Sequence, residues 1–183
     1  MSELYYIALV PDQTLSQLCL EYKLMAKELF QTQATLRSIA HITLIAPFKA
    51  DTIAIEQIKH SLNAVAKQSA ELNLTLNGWN YFEERTIYLG CESHPQLTQL
   101  YHECQNKVGK IVQIHKEAEF VPHISIINRD LPKRNFIAAW NYFSTQFHPT
   151  QTTCSQLVIF KYSPENWQID QHLNLVSQVT CNA

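Results

Sequence analysis

The 183-residue sequence predicts an α+β fold of mixed α/β character, with helices covering two mainly antiparallel sheets. Three observations predict it. Strand-like apolar runs alternate with helix-like apolar spacing from end to end, with no linker, low-complexity segment or charge block. The order strand, helix, strand, helix, strand occurs twice. A shift of 82 positions carries His41, Ile42, Thr43 and Ile45 onto His123, Ile124, Ser125 and Ile127, and also Tyr6 onto Tyr88, Leu15 onto Leu97 and Leu18 onto Leu100. A constant offset across a strand, a helix and a motif marks internal duplication. The expectation is one domain over 1–183, with pseudo-repeat halves of about 1–83 and 84–183, able to pair about a pseudo-twofold axis.

The elements follow in order. Leu4 to Val10 is an apolar run closed by Pro11-Asp12, hence a buried strand and a turn. Leu15, Leu18, Cys19, Tyr22, Met25 and Leu29 keep helical spacing and predict a helix over 13–30. The polar stretch from Gln31 to Ser38 reads as a loop. The strand beginning at His41 stops at Pro47, and Asp51 or Thr52 caps a helix burying Ile55, Ile58, Leu62 and Val65. Leu72, Leu74 and Leu76 alternate as a half-exposed strand, Asn77-Gly78 signals a turn, and Thr86 to Cys91 is a strand. Leu97, Leu100, Tyr101, Cys104, Val108 and Ile111 form the next helix face, and Val121 to Ile127 the second motif strand. Phe136, Trp140, Phe143 and Phe147 mark a helix. Leu157 to Phe160 is a buried strand, and Trp167, Ile169, Leu173 and Leu175 alternate, with Gln171 as the exception.

Composition narrows the function. Apolar residues make up 46% and charged residues 16%, a globular balance. The three glycines, Gly78, Gly90 and Gly109, cannot build a P-loop or a GxGxxG cradle, so phosphate would be held by side chains or a helix end. A net charge of −2 argues against gripping long nucleic acid by its backbone. A nucleotide or one end of an RNA fits better. Cys19, Cys91, Cys104, Cys154 and Cys181 form no CxxC and read as reduced, buried thiols. No basic leader or span of about 20 apolar residues occurs, so a cytoplasmic protein without a membrane partner is expected. No cofactor is called for. No metal is either, since His102 and Cys104 are two apart on a helix and do not share a face.

The chemistry-bearing stretches are His41-Ile42-Thr43-Leu44 and His123-Ile124-Ser125-Ile126. Residues two apart on a strand share a face. Each strand therefore presents one imidazole and one hydroxyl, backed by an apolar face. The third His-x-Thr, His148-Pro149-Thr150, reads as loop. With Ala46-Pro47-Phe48 after the first motif and Val121-Pro122 before the second, these residues resemble the 2H phosphoesterase superfamily, which includes the 2′-5′ RNA ligase family and the cyclic nucleotide phosphodiesterases. The resemblance in element order spans nearly the whole chain, but its diagnostic residues are the two motifs. It implies a bilobal fold whose two sheets face a central cleft, with helices outside.

It also implies roles. His41 and His123 would be the acid–base pair, with His123 as base and His41 as acid and the reverse left open. Thr43 and Ser125 would bind the phosphate oxygens, with Lys49, Arg129 and Lys161 as further phosphate charges. Many relatives carry an Arg soon after the second motif, and Arg129 stands one residue late. Phe48 is the first choice for stacking a base, ahead of Trp79, Tyr81 and Phe82. The function so implied is metal-independent hydrolysis of a 2′,3′-cyclic phosphate or 2′-5′ linkage in a nucleotide or RNA end. A non-catalytic binder of nucleotide or RNA termini, a 2′-5′ RNA ligase and a purely structural domain remain as alternatives.

Overall fold

Two four-stranded antiparallel sheets carry the molecule. The computed structural model describes residues 2–115 and 119–177, and Cys181 lies outside them. Among the described residues, eight strands and four helices alternate: β1 (Glu3–Val10), α1 (Gln13–Phe30), β2 (Ile42–Ala50), α2 (Thr52–Ala66), β3 (Leu72–Phe82), β4 (Thr86–Cys91), α3 (Pro95–Gly109), β5 (His123–Asn128), α4 (Phe136–Phe143), β6 (Gln151–Cys154), β7 (Gln156–Tyr162) and β8 (Trp167–Asn174). The first sheet has the order β2-β1-β7-β8 and the second β5-β4-β3-β6. The two halves exchange strands: β3 pairs with β4 of the second half, and β7 pairs with β1 of the first. Both motif strands, β2 and β5, are edge strands.

Amphipathic patterning sets the layers. On β1, Tyr5, Ile7 and Leu9 enter the main core with Leu15 and Cys19 of α1 and Ile55, Ile58 and Leu62 of α2. The alternate residues Tyr6 and Ala8 join Val158 and Phe160 of β7 in a small second cluster, against which Trp167 packs. Cys19, Cys91, Cys104 and Cys154 are buried free thiols. No described helix is long and apolar enough to cross a membrane.

The sequence expectation fails in several places, each for a non-local reason. β2 does not stop at Pro47. The pairing slips between Tyr5–Phe48 and Ile7–Ile45, so a bulge at Ala46-Pro47 carries the strand on to Ala50. An edge strand can hold a proline there because no partner needs its missing N–H. Asn77-Gly78 is no turn. Gly78, with φ of 98°, makes a bulge within a continuous β3, and the Asn77 amide occupies the space a side chain at Gly90 would need. The hairpin instead turns at Glu83 and Glu84, both with positive φ. The residue spacing does not predict β6, a short strand that exists through its pairing with β3. α4 ends at Phe143, leaving Phe147 outside it and 80% exposed. An extra residue at Asp170 in the β7–β8 register accounts for the broken alternation at Gln171.

Asp51, one of the two expected caps, begins α2, and Asp12, read from sequence only as part of a turn, begins α1. Asp12 Oδ1 accepts from the Leu15 N–H at 2.9 Å, and Asp51 Oδ1 from the Ala54 N–H at 2.8 Å. Asp12 also ties down β6, its Oδ2 accepting from Thr152 Oγ1 (2.8 Å) and the Thr153 N–H (3.1 Å). Asp12→Ala is therefore expected to cost about 2 kcal/mol and Asp51→Ala about 1 kcal/mol. Urea midpoints of the two variants check the order.

Candidate active site

The two motifs line one cleft. It has a volume of about 1000 Å³ and takes His41 and Thr43 from the β2 side and His123 and Ser125 from the β5 side. Strand alternation explains the delivery. Ile42 and Leu44, and likewise Ile124 and Ile126, are buried to 0–1% exposure, so the intervening residues face the opening. His41 itself precedes the first paired residue of β2.

Both imidazoles are held in the same way. The His41 Nδ1–H donates to the Ile39 carbonyl and the His123 Nδ1–H to the Val121 carbonyl, each at 2.8 Å. A carbonyl only accepts, so Nδ1 carries a hydrogen in both and Nε2 is the nitrogen left for chemistry. A tyrosine from the neighbouring strand packs on each ring: Tyr6 lies 4.9 Å from His41 and Tyr88 4.9 Å from His123, centroid to centroid. Each tyrosine stacks in turn on a phenylalanine, Tyr6 on Phe160 (4.5 Å) and Tyr88 on Phe82 (4.3 Å). The 82-residue offset is thus visible in the matched histidine–tyrosine pairs, while the two phenylalanines come from positions that it does not relate.

The first side carries an additional polar network. Ser38 Oγ bonds the Tyr6 hydroxyl and lies 3.4 Å from His41 Nδ1, while Lys23 Nζ donates to the Ser38 carbonyl at 2.9 Å. The segment holding Ser38 is fastened to the far end of β5. The Thr32 hydroxyl and the N–H groups of Gln33 (2.7 Å) and Ala34 (2.8 Å) all donate to the Asp130 carboxylate. Thr35 Oγ1 donates to the Ile126 carbonyl at 2.7 Å. Burial, with the Lys23 and His123 charges adding to it, pushes His41 down to about 4. It is therefore neutral at pH 7.

Arg129 also lines the cleft. The β4–β5 register skips one residue at Ile126, so β5 holds an extra residue between Ser125 and Asn128. Arg129 then turns with φ of 63°, its N–H donating to the Arg85 carbonyl at 3.0 Å. The other charge candidates lie elsewhere: Lys49 is exposed opposite Leu4, and Lys161 pairs with Glu3 at 2.8 Å. Phe48 is 3% exposed and packs near Tyr5, its register partner on β1, on the core face that Ile42 and Leu44 also occupy. Trp79 packs against Tyr22 and Phe143. Tyr81 and Phe82 do line the cleft, joined by Tyr101, Phe120 and Trp167.

Sequence reasoning missed Lys23, Ser38 and Arg85. Lys23 left a readable trace, lying one helical turn after Cys19 and beside Tyr22 on the buried face of α1. Among the described residues, no group of three or more His, Cys, Asp or Glu side chains gathers as a metal site would require.

The sequence matches the 2′-5′ RNA ligase superfamily profile over residues 13–166. It is 26% identical over 132 residues to the "Putative phosphoesterase" of Geobacillus sp. (strain WCH70), covering 70% of this chain and 74% of that one. In fold it is similar to Escherichia coli LigT complexed with 3′-AMP, with TM-score 0.70, 12% identity and coverage of 96% and 99% of the two chains. The protein TT0787 of Thermus thermophilus gives TM-score 0.70, 13% identity and coverage of 96% and 99%.

A pH titration follows from the His41 environment. The unfolded imidazole protonates near 6.5 and the folded one near 4, so the unfolded state binds more protons between these values. Stability from this group is full above about pH 6.5 and is lost as pH falls toward 4. The His41 side-chain NMR signals should stay those of neutral imidazole down to about pH 5.

Proposed function

The chain belongs to the 2′-5′ RNA ligase superfamily, and from that premise we propose that it hydrolyses a 2′,3′-cyclic phosphate or a 2′-5′ linkage at a nucleotide or RNA end, with His41 and His123 as the proton-transferring pair. One observation carries the reading: two imidazoles, each with Nδ1 committed to a backbone carbonyl, share one cleft with two hydroxyls on the same strand faces. The E. coli LigT structures with 3′-AMP, ATP and NADP+ support a nucleotide as the occupant.

In this reading a water oxygen attacks phosphorus while one Nε2 takes its proton. The opposite Nε2–H gives a proton to the departing ribose oxygen as its bond to phosphorus breaks. His41 is neutral at pH 7 and is therefore taken as the base, with His123 as the acid, the alternative that the sequence reading left open. Thr43 and Ser125 donate to the non-bridging oxygens, and Arg129 adds charge. Tyr81 and Phe82, not Phe48, offer aromatic surface to a base. Ligation of 2′-5′ ends is the same step run backwards. In dilute water hydrolysis dominates.

Purified protein in EDTA should open 2′,3′-cyclic nucleotides, and His41→Ala or His123→Ala should each lower kcat by about 10²–10⁴-fold. Wild-type rates matched by both variants would overturn the assignment. The acid limb of kcat/KM should fall near pH 4, since the base must lose its proton and holds it only below that value. An acid limb well above pH 4 would take the base role away from His41.

A further inference from the structure

Lys23 is the only charged side chain that is buried among the described residues, at 3% exposure. It sits on the core side of α1 beside Cys19, Tyr22 and Ala26. Its one described hydrogen bond is to the Ser38 carbonyl, and no described carboxylate pairs with it. An ammonium carries three donors, and burying it without a counter-charge is unfavourable. The cost is understandable if an anion completes the site, and Lys23 lines the same cleft as His41 and His123.

We propose that Lys23 is a further substrate-contacting residue: its ammonium takes a non-bridging oxygen of the phosphoryl group held between His41 and His123 and stabilises the negative charge there. The inference rests on the reading of the cleft as a phosphoester site and adds a residue that the two motifs do not contain. The second half has no such charge at the matching place, since the 82-residue offset sets Gln105 opposite Lys23. The symmetry of the two motifs therefore does not extend to Lys23, whose charge stands on the α1 side of the cleft while Arg85 and Arg129 stand on the β4–β5 side.

The neighbouring groups make the role readable by pH. Burial brings Lys23 down to about 8, leaving it charged at pH 7. Around it, Cys19 on its own helix is pushed up to about 12, Tyr6 of β1 is pushed up by burial, and His41 is held down to about 4. All three are uncharged near pH 8, where Lys23 changes. Any contribution from His123 is common to every variant compared.

Sulfate is the probe, because its charge is constant over the range and its binding needs no turnover. Its affinity for the wild-type protein, measured calorimetrically, should fall as pH rises through about 8. Lys23→Gln keeps a donor for the Ser38 carbonyl but no charge. It should bind sulfate about tenfold or more weakly at pH 7, with no fall near pH 8. Lys23→Arg should retain binding and also lose the fall, since guanidinium stays charged. Sulfate binding by Lys23→Gln equal to wild type at pH 7 would mean that Lys23 only anchors Ser38, and would overturn the proposal. Should Lys23→Gln fail to fold, a wild-type affinity flat across pH 8 overturns it alone. Absence of cyclic-nucleotide turnover would count against the hydrolase reading and leave the sulfate result interpretable.

Discussion

Everything at the cleft depends on the burial of the apolar backs of two edge strands. Ile42 and Leu44 on β2, and Ile124 and Ile126 on β5, are almost wholly removed from water. Each such side chain stabilises its placement by about 1.5–3 kcal/mol. A one-residue slip of either strand would expose that set and turn its histidine inward. The register that presents an imidazole and a hydroxyl together is therefore enforced by the core. The polar residues themselves contribute little to that choice.

Backbone hydrogen bonds then fix what packing leaves free. Pinning each Nδ1 to a carbonyl two residues earlier sets the tautomer and the ring plane, and a tyrosine–phenylalanine stack supports each ring. The Asp130 carboxylate and the Thr35 hydroxyl bind the segment before His41 to the end of β5. The histidine of one sheet is thus referenced to the strand that carries the other. The electrostatics are less even. The walls of the cleft and Lys23 disfavour the imidazolium at His41.

Much of this was legible in the chain. Helical spacing located α1 to its observed ends, a cap at Asp51 or Thr52 and the burial of Ile55, Ile58, Leu62 and Val65 followed from pattern alone, and the structure chose Asp51. The pairing of His with Thr or Ser on one strand face was equally readable. The errors cluster at bulges. Pro47 and Gly78 are residues that commonly end strands, yet here each occupies an irregularity inside a longer one. Phe48 shares the core face of Ile42 and Leu44 and is buried there, and Arg129, in a positive-φ turn after β5, stands on the cleft wall.

The sequence by itself determined the properties that depend on near neighbours: element types, buried faces, helix starts, and the imidazole–hydroxyl faces of the two motifs. These rest on residue spacings of two, three and four, which the chain carries locally. Only the tertiary structure decided that the halves exchange strands, that both motif strands lie at sheet edges on one cleft, and that Lys23 stands buried beside His41. Those outcomes depend on which distant surfaces exclude water together, and on how far a charge is desolvated when they do. A spacing rule cannot express either quantity, because each belongs to the packed arrangement of many segments at once.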